Sequence, residues 1–420
     1  MTRASSKVRA FVRRAIGSLA RRLRNFAEAE PAGYDLNDIP SSELALYFPD
    51  GAAKLYQLTQ WLPVFEASEE ARILVVVRQM DAFTALQGRT SLRVLLVPNY
   101  ESLMALYDRA DFRAVIYVNN GWTNFQSLAF REAVHIHVNH GESDKICMVS
   151  NQAKAYDKVF VAGEAAVQRH ASAIAWFDTS HLIRVGRPQL DLPVTSVLAD
   201  HDGPTITYAP TWEGEDAANN YTSVDRYGLR IIEAALAQPG VRVIYKPHPR
   251  VLISADPGVR SGHKQIMNAV SLAATADPLR GHVALPTVDI LSILPSTDLL
   301  IADVSSVTLD HLYLRPSAPI MLCDRRSDRE QIIADAPLAA IVPVIDDDSI
   351  ASLAADLETL LKDDPNAAAR TALRHHYFDN LERGQSTERF WSELRLAIAQ
   401  YDSALGELSR RRIVTKGGRT

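Results

Sequence analysis

The chain is expected to fold as two doubly wound, Rossmann-like α/β domains with a cleft between them. Three observations predict this. Short β-branched runs recur along the chain with helical stretches between them. A proline- and turn-rich segment, PQLDLPVTSVLADHDGP at 188–204, interrupts them near the middle. Polar motifs carrying His, Lys or paired Ser stand at the ends of several runs. Continuous apolar strands alternating with helices imply parallel sheets covered on both faces. In such sheets ligands bind beyond the carboxyl ends of the strands.

Taken in order, the first-half runs are ARILVVV (71–77), LRVLLVP (92–98), RAVIYVN (113–119), HIHVNH (135–140), KVFVAG (158–163) and LIRVG (182–186). The second-half runs are TITYAPT (205–211), VRVIYKP (241–247), LLIAD (299–303) and PIMLCD (319–324). No strand is expected after about 345, and 350–405 reads as helical. With the boundary in the proline-rich segment, the expected domains are 31–195 and 196–400. A basic amphipathic helix (1–30) precedes them and a basic tail (401–420), which reads as frayed, follows.

The N-terminal arm places Val8, Phe11, Val12, Ala15, Ile16, Leu19, Leu23 and Phe26 on one helical face. Residues 1–26 hold eight Lys and Arg and no acid, so the remainder is more acidic than the −5 of the whole chain. An acid-free basic face suits an anionic membrane surface, whereas an acidic body argues against general nucleic-acid binding. A helix packed on the body, or a presequence, would share the arm's pattern. Composition is that of a soluble globular protein, 47% hydrophobic and 23% charged. No stretch reaches the roughly 18 apolar residues of a membrane span. Cys147 and Cys323 sit in apolar surroundings without a CxxC pattern, which fits a reducing compartment. GxGxxG and Walker A motifs are absent, and no cofactor or metal site is assigned.

Four strand-end motifs carry the candidate chemistry. In IADVSSVTLD (301–310) an apolar strand ends in Asp303, then Ser305 and Ser306 open a helix. Hydroxyls and free N–H groups at a helix start suit a phosphate, while plain capping is the alternative. Asp310 lies one turn on and is expected to orient a cation, accept from a ligand hydroxyl or anchor the loop. In YKPHPR (245–250), prolines flank His248 and present it with Lys246 and Arg250, a set suited to a diphosphate. In HGESDK (140–145), His140 is a candidate general base and Gly141 is expected to supply a tight turn. Lys145 is a candidate phosphate ligand, or else a solvated surface lysine. His135 and His137 are expected to pair structurally inside their strand rather than bind metal. Glu142 and Asp144 are expected to face solvent, with a divalent ion as the alternative. Thr211 of the Tyr208–Trp212 segment completes the candidate set.

Together these motifs resemble the CDP-glycerol glycerophosphotransferase family of wall teichoic acid synthesis. The matching residues are His140-Gly141 with Lys145, GRPQLD at 186–191, Tyr208 to Trp212, Lys246 to Pro249, and Asp303, Ser305, Ser306 and Asp310. Order and spacing agree over roughly 135–325. The resemblance implies a two-domain GT-B fold, peripheral attachment to the inner membrane face, and transfer of glycerol phosphate from CDP-glycerol to an acceptor hydroxyl with release of CMP. It implies His140 or His248 as base, with the other histidine, Lys246, Ser305 and Ser306 on phosphate. This chain departs from the family at Glu142-Ser143-Asp144, where a small residue and proline are common. It departs also at Glu213, where arginine is frequent, and by two extra residues between Arg315 and Pro319. The alternatives are a GT-B glycosyltransferase using a nucleotide sugar, a transferase for another CDP-polyol, and a non-enzymatic nucleotide-binding protein at the membrane.

Overall fold

The computed structural model describes residues 42–417 apart from 70, 146 and 147. The expected amphipathic helix and Cys147 therefore lie outside the described residues. Among the described residues, thirteen strands form two parallel sheets. The first contains β1 (Leu44–Phe48), β2 (Ile73–Val77), β3 (Arg93–Leu96), β4 (Ala114–Tyr117), β5 (Val134–His137), β6 (Lys158–Val161) and β7 (Leu182–Arg184). Its order is β3-β2-β1-β4-β5-β6-β7. The second contains β8 (Thr205–Ala209), β9 (Arg242–Tyr245), β10 (Val283–Ala284), β11 (Leu299–Asp303), β12 (Ile320–Cys323) and β13 (Val344–Ile345), in the order β10-β9-β8-β11-β12-β13.

Among the described residues, the helices of seven or more residues begin with α1 (Met80–Leu86), α2 (Tyr100–Ala110), α3 (Glu164–Ala173), α4 (Gly228–Leu236) and α5 (Pro257–Ala276). The series continues with α6 (Ser306–Leu314), α7 (Arg329–Asp335), α8 (Leu353–Lys362), α9 (Ala367–Phe378) and α10 (Gln385–Gly417). The described chain divides into two compact units. One holds the residues up to His140, 152–160 and those from Ser392 onward, and the other holds 141–151 and 161–391.

The second sheet shows why its strands read as unbroken apolar runs. Along β11, Leu299 and Ile301 join a core with Tyr208, Tyr245, Met321 and residues of α4, α5 and α8. Leu300 and Ala302 point the other way, into a core with Leu322 of β12, Leu309 and Leu312 of α6, and Tyr377 and Phe378 of α9. Because side chains alternate across a strand, burial on both faces demands apolar residues at every position.

Each of the ten expected runs contains a strand, and two parallel sheets are present as expected. Three strands escaped the sequence reading. The important one is β1, which lies inside the first sheet and pairs with β2 (Leu46↔Val75) and β4 (Leu46↔Ile116). Its sequence, LALYF, has no β-branched residue, so a short apolar run was its sole local signal. The C-terminal region also differs from expectation. Helix α10 does not stop near 405 but continues to Gly417, where a frayed tail was expected. Arginine-rich sequence is good helix material, and the helix is tied down before that point. Arg113 pairs with Asp402, and Tyr401 donates to the Arg131 carbonyl at 3.2 Å.

Gly186 of GRPQLD shows how tightly the second unit closes. It has φ +71°, and a Cβ there would lie 2.1 Å from the Ser386 hydroxyl. A left-handed backbone and a filled space both exclude a side chain. Gly186→Ala should therefore lower stability by about 2–4 kcal/mol, measured by urea unfolding; an unchanged midpoint would show that the α10 start gives way freely.

Candidate functional site

His140 belongs to the first unit, and every other candidate residue belongs to the second. The loop after β5 turns at Asn139, whose φ of 53° is left-handed. The tight turn expected of Gly141 is thus made two residues earlier, by a residue type that tolerates this conformation. The Asn139 side chain accepts from the His140 N–H at 2.8 Å, and its carbonyl accepts from the Trp61 indole. The half-buried His140 imidazole meets the edge of the Tyr56 ring at 5.7 Å. His135, deeper in the strand, pairs structurally: its Nδ1 bonds the Tyr117 hydroxyl at 2.7 Å and its Nε2 the Phe130 carbonyl. His137 stacks on Tyr156 at 5.0 Å.

In the second unit the motifs converge through short contacts. Strands β9, β8 and β11 are neighbours, so YKPHPR, YAPTW and DVSS emerge side by side. The Lys246 and His248 N–H groups donate to the Tyr208 and Pro210 carbonyls at 2.9 Å each. Asp303 is fully buried, and its Oδ2 accepts from the Thr211 N–H at 2.7 Å and the Ser223 N–H at 3.3 Å. Lys145 is half-buried rather than solvated, and its ammonium donates to the Thr211 hydroxyl at 2.8 Å. Asp303, Thr211 and Lys145 therefore form one line of contacts. Burial pushes the Asp303 carboxyl up to about 7, and the Ser223 hydroxyl, the Thr211 N–H, Lys145 and the Ser223 N–H oppose this only in part.

The start of α6 bears on the capping alternative. Ser305 occupies the cap position, yet its side chain makes no capping bond. Its hydroxyl is buried, with the residue 9% exposed, and has no hydrogen-bond partner. A hydroxyl left unsatisfied beside free helix N–H groups is the arrangement that an incoming phosphate oxygen completes. Gly141 lies against this helix start. A Cβ on Gly141 would stand 3.3 Å from the Ser306 Cβ and 4.0 Å from an Arg187 guanidinium nitrogen. The glycine thus eases close approach rather than setting the turn, because a Cβ would require Ser306 to give by a few tenths of an ångström.

Arg187 is a buried charged residue beside the α6 start that the sequence reading did not single out. It is buried and donates to Asp310 Oδ1 at 2.9 Å through one terminal nitrogen and 3.2 Å through Nε. Asp310 therefore orients an arginine, one of the three roles expected of it. The available signal was an arginine inside the GRPQLD motif, and no spacing rule linked position 187 to 310. Asp191 of the same motif is structural, accepting from the Tyr313 hydroxyl at 2.8 Å and the Thr387 N–H at 2.7 Å.

The three groups of the YKPHPR turn are engaged differently. Lys246 is buried and donates to the Pro247 carbonyl at 2.8 Å, and burial lowers its ammonium to about 8. His248 Nδ1 accepts from the Arg250 N–H at 3.2 Å. Arg250 lies over the Trp212 ring at 3.8 Å, a cation–π contact.

Glu142 and Asp144 do not face solvent, contrary to expectation. Both are buried and share Arg169 of α3, at 2.6 and 2.8 Å. Asp144 also accepts from the Tyr377 hydroxyl at 2.6 Å. Two carboxylates two positions apart in sequence can enter the interior because one guanidinium forks between them. They brace the 141–145 loop rather than acidify a substrate surface. Among the described residues, no group of three or more His, Cys, Asp and Glu could hold a metal ion.

The chain matches the family described as CDP-Glycerol:Poly(glycerophosphate) glycerophosphotransferase over residues 51–394. It belongs to that family. It is accordingly a CDP-glycerol glycerophosphotransferase-like enzyme. Its structure is similar to that of the wall teichoic acid polymerase TagF, with TM-score 0.55 and 13% identity over 94% of this chain and 98% of that one. It is similar also to a putative UDP-N-acetylglucosamine 2-epimerase from Listeria monocytogenes, with TM-score 0.56 and 13% identity over 85% and 97%. These neighbours place the fold in the GT-B type. No curated protein matches the chain.

The raised Asp303 carboxyl has a pH consequence. Folded Asp303 keeps its proton to about pH 7, whereas an unfolded aspartate loses it near pH 4. Between these values the folded state binds more protons, so stability falls as pH rises. Asp303→Asn cannot ionise. The melting temperature of the wild type minus that of the variant should therefore drop from pH 4 to pH 7.5; a constant difference would mean that Asp303 ionises normally.

Proposed function

We infer that the protein transfers glycerol phosphate from CDP-glycerol to a hydroxyl of a membrane-linked or polymeric acceptor, releasing CMP, in synthesis of a teichoic-acid or capsule-like polymer. The observation that carries this reading is the buried, unpartnered Ser305 hydroxyl at the head of α6, beside Gly141 and Arg187, in a chain of this family. Solved TagF structures include one of a variant soaked with CDPG, similar to this chain at TM-score 0.55.

In the proposed reaction the acceptor oxygen attacks the β-phosphorus of CDP-glycerol. A P–O bond to the acceptor forms as the P–O bond to CMP breaks, and CMP leaves with the electron pair. His140 takes the hydroxyl proton. The helix α6 N–H groups with Ser305 and Ser306 hold the transferring phosphate, and Lys145, Lys246, His248 and Arg250 offset charge on the leaving CMP. Thr211, Asp303 and Asp310 act by holding Lys145, the β8 loop and Arg187 in place. Residues 31–195 take the acceptor and 196–400 the donor.

A position on the inner membrane face is supported by the acid-free basic sequence of residues 1–26. Among the described residues no helix is long and apolar enough to cross a membrane. Removing residues 1–27 should abolish binding to anionic phosphatidylglycerol vesicles; undiminished binding would place the contact elsewhere.

The central test is CMP release from CDP-glycerol with a membrane extract as acceptor source. His140→Ala should lose at least 100-fold in rate, and Ser305→Ala should raise the CDP-glycerol KM about tenfold, roughly 1.4 kcal/mol. Release by neither wild type nor variants would sink the donor assignment.

A further inference from the structure

The first unit carries a feature that the phosphate chemistry does not use. The loop between β4 and β5 exposes two aromatic side chains, Trp122 (79% exposed) and Phe125 (43%), with their rings in edge contact at 5.6 Å. An exposed tryptophan on a floppy loop means little. This loop is instead heavily braced. Arg78, buried at the end of β2, donates to Gln126 Oε1 at 2.8 Å and to the Tyr47 hydroxyl at 2.8 Å. The Tyr47 hydroxyl in turn donates to the Thr123 carbonyl at 3.0 Å. Asn124 donates to the Asn119 carbonyl at 2.7 Å and to the Tyr156 hydroxyl at 2.9 Å. A Cβ on Gly121 would come 2.3 Å from the Pro49 ring, so the loop is pressed onto the end of β1. A buried cation and several amides hold the aromatic pair in place before any ligand arrives.

The loop lies in the immediate neighbourhood of His140. Strands β4 and β5 are adjacent with Tyr117 opposite His137, so their following loops leave the same sheet edge side by side. A chain of contacts joins them. His140 meets Tyr56, the next residue Gln57 accepts from the Asn119 amide at 2.9 Å, and Asn119 also donates to Asp50 at 3.0 Å. In addition, the Asn124 side-chain oxygen is buried, with the residue 1% exposed, and lacks a partner. A buried amide oxygen without a donor is a group that a ligand hydroxyl or a bound water satisfies.

We propose that Trp122 and Phe125, with the Asn119, Asn124 and Asp50 cluster behind them, form a subsite for a sugar ring of the acceptor. This rests on the transferase reading only for the word acceptor. An aromatic face takes the C–H face of a pyranose, and amide and carboxylate oxygens take its hydroxyls. A bilayer fits the surroundings poorly. The cluster offers amides and a carboxylate, and the neighbouring Lys54 is spent on Asp50 at 3.6 Å. Anionic lipid would call for free cations.

The test is saturation-transfer NMR on the full chain with methyl glycosides of hexoses and N-acetylhexosamines. Ring protons of at least one glycoside should receive saturation from the wild type. Binding should weaken at least fivefold in Trp122→Ala, recover in part in Trp122→Phe, and stay unchanged in Trp176→Ala, a control at a fully exposed tryptophan outside the cluster. No transfer to any glycoside, or equal binding by Trp122→Ala, overturns the proposal. In the transfer assay the acceptor KM should rise at least fivefold in Trp122→Ala while the CDP-glycerol KM does not; a rise in the donor KM instead also overturns it. If wild type shows no transfer at all, the transferase reading fails, and the NMR result still decides the sugar site.

Discussion

The second unit depends on one buried carboxyl group. Asp303 ends the strand β11 and receives the N–H groups of Thr211 and Ser223, both from the stretch that follows β8. Its own carbonyl accepts from the Thr308 hydroxyl at 3.0 Å, which fastens the first turn of α6 to the strand before it. A single residue thereby sets the β8 loop and the α6 start relative to each other. Through Thr211 the same anchor reaches Lys145. Burying a carboxyl is costly unless its oxygens are satisfied or it keeps its proton. Here the donors gather on one oxygen while the other has none, which agrees with a carboxyl held partly protonated near neutrality.

A second device handles charge in the 141–145 loop. The resemblance read from the sequence leads one to expect a small residue and proline after His140-Gly141, where this chain has Glu142-Ser143-Asp144. A proline stiffens a loop by fixing φ. This chain reaches a comparable end by ion pairing, with Arg169 shared between the two acids and Tyr377 closing the remaining oxygen of Asp144. The loop is held through α3 and α9, so the same helices that cover the sheet also position Gly141 and Lys145. Gly141 then approaches Ser306 so closely that a methyl group would crowd it.

The first unit is built on another logic. Its phosphate-type groups are few, and its polar investment lies in bracing the loops after β1, β2, β4 and β5. The buried guanidinium of Arg78 bonds only neutral oxygens, those of Tyr47, Pro98 and Gln126. These bonds order the loop next to His140 rather than neutralise a carboxylate. The chemistry of the two units thus differs in kind: one gathers cations and helix N–H groups, the other presents an imidazole, amides and aromatic rings.

Much of this was legible in the sequence, for identifiable reasons. Strands buried on both faces read as largely apolar runs, so β2 to β9, β11 and β12 announced themselves. Motifs at strand ends named Asp303, Ser305, Lys145 and His140 because their residue types are unusual beside apolar runs. β1 escaped because five apolar and aromatic residues, none of them β-branched, make too short a run to read alone. What only the tertiary structure decided were pairings across long separations. Arg187 reaches Asp310, Arg169 neutralises Glu142 and Asp144, and Asp303 takes its donors from the β8 loop. Whether Ser305 caps its helix or keeps a hydroxyl open is likewise a matter of rotamer and neighbours. Local sequence determines which groups are present and which segments must be buried; only packing determines which partner each buried polar group meets.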